Sequence, residues 1–369
     1  MNIEINNNKI YTGINAIDNY ENDEESRIPL LARKMNKAVK NIALKTGISE
    51  EKLIENINSK LTGIEFDNDR EAVIASVNHS NHTLVLGVDF FNTFMYKDND
   101  TDNIIQYELA HLLGGRVMKN PLSRTYISGY RTCNKYPIIG FRNDRNKGFN
   151  DAAVEMFTES DKDYREIEFL GYKFQTNIPD YNHKYQLNAN LIEQMLIANG
   201  TDKKDLFDGL FDYEKSKEFI SKFDKKTFKT VSAYMTDIWN LLKLYNHYDS
   251  HIFDNPGFFM ESIDVKLKLN ETLAQAERTI IDNILTPNLK DKRPEEKQSI
   301  LENYSKFLIY ERKYFSEKTG FKIDFSGNDE KEKRSWRENI AVPQNCHISI
   351  TPGKRNTNPE RKPNDKNTR

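Results

Sequence analysis

Between residue 25 and about residue 45 the apolar positions Ile28, Leu30, Leu31, Met35, Ala38, Val39, Ile42 and Ala43 recur at helical spacing, and Gly47 closes the run. Ser49 followed by Glu50, Glu51 and Lys52 predicts an N-capped second helix, reaching about Leu61. The period then changes. Residues 71–77 and 83–88 are short β-branched runs joined by the polar stretch 78–82, which predicts a hairpin. Helical spacing returns at Ile104, Ile105, Leu109, Leu112 and Leu113, and Gly114-Gly115 reads as its stop. Residues 126–131 and 136–141 predict a second hairpin. Beyond Glu166 the helical period takes over. Residues 184–199 carry Leu187, Leu191, Ile192, Met195, Leu196 and Ile197 and end at Gly200. Further helices are expected at about 206–223, 226–248, 265–285 and 295–318. Pro287 and Pro294 punctuate the last two, and Pro294-Glu295-Glu296 is a good helix opening.

This pattern predicts an α+β, mainly helical fold. A polar, Asn-rich arm (1–24) with a short strand at most precedes a half that holds a small sheet (25–175). A helical half follows (176–326), and then a charged tail (327–369). The 369 residues suffice for one large or two modest domains. With 37% apolar and 30% charged residues, the chain is polar for a globular protein, so extended surface helices and a disordered tail are expected. Residues 353–369 carry six Lys or Arg against two acids, a net of +4; with −2 for the whole chain, the rest stands at −6. That tail has almost no apolar residue. It reads as a weak ligand for acidic surfaces or as merely solubilising.

Charge narrows the function classes further. A net charge of −2 argues against a dedicated nucleic-acid binder. No run of about 18 apolar residues exists, so no membrane span is expected, and the N-terminus does not read as a secretory signal. Cys133 and Cys346 form no metal-ligand pattern; two thiols in so long a chain suggest a reducing compartment, or a fold that does not rely on disulfides, and a cytoplasmic protein is expected. The abundance of Lys, Asn and Ile is the bias that an AT-rich bacterial genome imposes.

The candidate chemistry lies in the helix around residue 109. Tyr107-Glu108-Leu109-Ala110-His111 sets positions 107 and 111 on one helical face, roughly 6 Å apart along the axis. In zinc metallopeptidases this spacing is H-E-x-x-H: two imidazoles hold the metal and the Glu between them is the general base. Taken alone, Glu108 and His111 read equally as an amphipathic helix with one half-buried His. A second stretch, Gly148-Phe149-Asn150-Asp151-Ala152-Ala153-Val154-Glu155-Met156-Phe157-Thr158-Glu159, resembles the Asn-Glu-x-x-x-(Asp/Glu) helix of gluzincins. Over roughly residues 64–160 the chain resembles the zincin metallopeptidases, with 25–175 as the zincin-like domain.

The resemblance implies a site. Glu108 falls at the general base, and His111, Asp151 and Tyr107 at the three zinc-ligand positions. Glu155 falls at the residue that orients a ligating His, or becomes an alternative ligand if the helix is rotated. Tyr185 and His183 are candidates, on position alone, for a donor to the oxyanion. Two ligand positions depart from the family: Tyr stands for His at 107, and Asp for Glu at 151. A phenol of ordinary pKa about 10 is a poor ligand near neutrality, so zinc is expected to be weakly bound or absent. The resemblance therefore implies a catalytically impaired pseudo-peptidase that keeps its cleft for a peptide or protein ligand. The alternatives are an active, divergent zinc peptidase and a helical protein in which both motifs are accidents. Zincins place a sheet before the active-site helix, its edge strand lining the cleft, and residues 83–88 occupy that place; strand addition there would seat an extended peptide. His79 and His82 read as solvated turn residues, and His247 and His251 as exposed imidazoles near a helix end.

Overall fold

The computed structural model describes residues 4–6, 9–18, 27–67, 75–78, 82–87, 98–119, 124–136, 141–158, 165–169, 172–176, 185–251, 255 and 257–319. The fold is α+β and mainly helical. A hairpin of β1 (Glu4–Asn6) and β2 (Lys9–Tyr11) leads through the short α1 (Asn15–Asp18) into α2 (Arg27–Thr46) and α3 (Glu50–Lys60). Gly47 takes φ +71 between the two helices, and the Ser49 hydroxyl accepts the Lys52 N–H, as the capping pattern requires. A three-stranded sheet follows, built from β3 (Gly63–Asp67), β4 (Ala75–Asn78) and β5 (Thr83–Gly87).

The expected hairpin of 71–77 and 83–88 is present, with Asn78 opposite Thr83. However, the sheet order is β3-β5-β4, with β3 parallel to β5. The strand at 83–87 is therefore central, and among the described residues β4 is an edge. The reason is visible in the side chains: Leu84, Val85 and Leu86 are all buried, as a strand covered on both faces needs.

Next come α4 (Asp98–Gly114) and a meander of β6 (Gly115–Lys119), β7 (Arg124–Ser128), β8 (Arg131–Tyr136) and β9 (Phe141–Arg145). Residues 126–131 thus contain a turn, where a single strand had been expected; Gly129 with φ +55 makes it. The chain continues as α5 (Lys147–Thr158) and a hairpin of β10 (Arg165–Phe169) and β11 (Tyr172–Thr176), in a stretch where helix was expected.

The helical part comprises α6 (Gln186–Asn199), α7 (Lys203–Phe211), α8 (Tyr213–Ser221), α9 (Lys225–Ser250), α10 (Gly257–Ile280), a π-helical turn at Ile281–Leu285, α11 (Thr286–Leu289) and α12 (Pro294–Thr319). The single helix expected over 206–223 is split at Asp212. Its N–H closes α7 on the Asp208 carbonyl, and its carboxylate caps α8 by accepting from Glu214 N and Lys215 N. By internal contacts the chain divides into residues 1–307 and 308–369; of the second unit the described part is the end of α12. The expected disordered tail lies outside the described residues. Among the described residues no helix is long and apolar enough to cross a membrane.

Candidate functional site

Two helices carry the candidate chemistry, and their neighbours fix both. Ile105, Leu109, Leu112 and Leu113 of α4 are buried, and α4 packs on α2, α3, β4 and α5. Gln106, buried beside them, accepts from Asn41 Nδ2 of α2 at 3.2 Å. On α5, every residue from Gly148 to Thr158 is buried. Phe149 stacks edge-on to Tyr130 and Phe228, with ring centres 5.1 and 5.0 Å away, which pins its N-terminal end. Lys45 Nζ donates to the Phe157 and Thr158 carbonyls at 2.8 and 3.0 Å, neutralising the far end of the helix dipole.

The motif residues meet where these helices touch. Asn150 Nδ2 stands 3.5 Å from His111 Nδ1, and Asn150 Oδ1 accepts the Tyr130 N–H at 3.0 Å, so Asn150 ties the imidazole to the turn of the meander. The Ser128 hydroxyl donates to the His111 carbonyl at 3.1 Å. Tyr107 lies edge-on to the His111 ring, with centroids 4.6 Å apart. Its hydroxyl donates to the Tyr185 hydroxyl at 3.1 Å, and the two phenol rings stack at 5.7 Å. Glu108 takes another direction: its Oε2 accepts the Val77 N–H of β4 at 2.8 Å. His111, Asp151 and Glu155 are each no more than 7% exposed.

Burial dominates the electrostatics. It pushes the Glu108 carboxyl up from 4.5 to about 8, with the Val77 N–H opposing and the Asp151 charge adding to the rise. Asp151 rises from 3.8 to about 6 for the same reason, against the pull of the Arg131 and Lys147 charges. Burial, together with Tyr185, Asp151 and Glu108, holds Tyr107 well above its usual 10, so its proton stays on. Tyr185 is raised as well, by burial first and then by Asp151, while the hydrogen bond from Tyr107 opposes the rise and the Glu155 and Glu108 charges add to it. One acceptor is left over: Asp151 Oδ1 is buried and has no hydrogen-bond partner.

The structure therefore brings Tyr107, Glu108, Asp151 and Tyr185 into one electrostatic neighbourhood, with the Glu155 charge felt at Tyr185 and the His111 ring edge-on to Tyr107. His183 and His79 lie outside the described residues. His82 is a turn residue at φ +59, and its Nδ1 stands 3.0 Å from the Lys60 carbonyl. His247 and His251 are exposed at the end of α9, with ring centres 4.7 Å apart. Two participants had no signal in the spacing. One is the Val77 amide, whose role depends on β4 being an edge. The other is Arg131, which grips Asp144 through two hydrogen bonds of 2.8 and 2.5 Å across the meander while its charge acts on Asp151. Only the β8–β9 register, in which Cys133 faces Asp144, brings that pair together.

A catalytic zinc keeps three protein ligands. Here the phenol at 107 is protonated and turned to Tyr185, and His111 Nδ1 faces Asn150. Among the described residues no group of three or more His, Cys, Asp or Glu side chains is placed to hold a metal ion. No protein-family model, curated protein or solved structure matches the chain.

Proposed function

We propose that the chain is a zincin-like pseudo-peptidase: a protein with the cleft of a zinc metallopeptidase, used to hold a peptide, and without the ligands that hydrolysis needs. The Tyr107–Tyr185 contact carries this reading. A buried phenol that gives its proton to a second phenol offers a metal only a weak neutral oxygen, where the family resemblance calls for an imidazole nitrogen. The second support is Glu108. Its carboxyl binds the backbone of β4 and favours the protonated form near neutrality, which is the wrong state for a general base.

A single observation favours the other reading, an active divergent peptidase. Asp151 Oδ1 is a buried acceptor without a donor, and a cation beside it would satisfy it; Glu108 would then be the base.

Metal analysis separates the two. Purified protein, Tyr107→His and Tyr107→His/Asp151→Glu are compared for zinc content by mass spectrometry and for cleavage of generic peptides. The unaltered chain should carry well under one zinc per chain and cleave poorly or not at all, and zinc content should rise in the variants. Near-stoichiometric zinc in the unaltered chain, with cleavage abolished by Glu108→Ala, would overturn the pseudo-peptidase reading.

A further inference from the structure

Alternate residues of β8, Arg131, Cys133 and Lys135, line a pocket of about 370 Å³ that is also lined by Ser76, Val77 and Asn78 of the edge strand β4. Its volume lies at the lower end of the range typical for ligand sites. Among its described lining residues Lys60 and Arg116 complete a set of four cations, and none is an acid. Arg131 has its counterion in Asp144. The other three do without one among the described residues. Lys60 Nζ donates to the Leu113 carbonyl, the Arg116 guanidinium lies 3.4 Å from the centre of the Tyr213 ring, and Lys135 Nζ lies 5.1 Å from that of Tyr126. Arg116 Nε is buried with no hydrogen-bond partner.

Clustering like charges in a half-enclosed space costs free energy unless an anion offsets it. It is all the more pointed in a chain of net charge −2. The pocket also shares Val77 with the candidate site, and the Val77 N–H points away from β5 toward the side on which a further strand would pair. A peptide laid along β4 would take that N–H from Glu108 and bring an alternate side chain to the cations.

We propose that this pocket receives the carboxylate side chain of an acidic residue in a peptide strand that adds to β4. The inference rests on the peptide-cleft reading above and names what the cleft selects. Charge-assisted hydrogen bonds in a half-buried pocket are the strong kind, so one carboxylate dominates the choice of peptide.

The test is selection of random octapeptides, displayed on a carrier, against the full chain and against Lys135→Ala and Lys60→Met. Peptides enriched on the parent chain should share an Asp or Glu at one position. Changing that acid to its amide should weaken binding at least about tenfold. The preference should shrink in both variants and fade as salt rises. Lys135→Ala alone suffices if Lys60→Met does not fold, and the salt dependence needs no variant. Enriched peptides with no acidic preference would overturn the pocket and leave the cleft reading standing. Enrichment of no peptide at all would overturn the cleft reading, and this inference with it.

Discussion

Helices α5 and α9 pack against each other, yet they are buried in opposite ways. On α9 a single stripe is hidden, including Phe228, Val231, Met235, Ile238, Leu242 and Tyr245 with the small hydroxyls Thr227 and Ser232, and the charged residues face water. On α5 all residues from Gly148 to Thr158 are hidden, and Asn150, Asp151 and Glu155 are hidden with them. On α9, charge follows exposure, as it does for any surface helix. On α5 it does not, although burying a carboxyl that lacks full hydrogen bonding costs free energy. The same mismatch recurs on α6, where Gln186, Asn188, Asn190, Glu193 and Gln194 are hidden, so burial and motif spacing together, and neither alone, mark α5 as the candidate helix.

The comparison is broken most violently where the two helices touch. A Cβ on Gly148 would collide with the Met235 carbonyl of α9, and the Gly148 N–H lies 3.3 Å from the Thr236 hydroxyl. Gly148→Ala should therefore destabilise the chain by about 3 kcal/mol, read as a lower urea midpoint. An unchanged midpoint would mean that α5 is not clamped.

An effect no larger than that, and of opposite sign, should come from Asp151. In the metal-free chain its carboxyl holds its proton up to about pH 6, whereas the unfolded chain releases it near 3.8. Between those values the folded state binds more protons, so stability falls as pH rises through the window and levels off above it. Glu108 extends the decline to about pH 8. Asp151→Asn removes the first window. At pH 8 it should be more stable than its parent by about 3 kcal/mol, and the two should converge toward pH 4. Urea unfolding across this range decides it; a variant less stable at pH 8 would show that the buried charge is fully compensated. The smallest effect belongs to the open face of α9. Leu244 is 44% exposed, and Leu244→Ser should change stability by no more than about 0.5 kcal/mol.

Much of this was legible in the chain. Ser49, Gly200 and Pro294 mark true helix ends because each acts on its own backbone, which local sequence reports. The motif spacing located Tyr107, Glu108, His111, Asp151 and Glu155, since residues four apart on a helix share a face whatever surrounds them. What escaped depends on distant partners. Strand β3 exists by pairing with β5, across about twenty residues of chain. The break at Asp212 was hidden because one residue hardly disturbs the apolar period of the run it divides. The central place of β5 was readable after all: Leu84-Val85-Leu86 is continuous where an edge strand would alternate. Arg131 and the cationic pocket were not, because cross-strand register cannot be read from either strand alone.

The hydrogen bond from Val77 to Glu108 has a consequence for how such proteins age. Among the described residues β4 has a neighbour on one side only, and an open strand edge invites pairing with other molecules. A carboxyl resting on that amide is a guard against self-association. A chain that lost Glu108 would lose the guard. On the pseudo-peptidase proposal, solubility would keep this residue after hydrolysis no longer does. The glutamate of such a motif, found intact, testifies to a tidy sheet edge as readily as to a living active site.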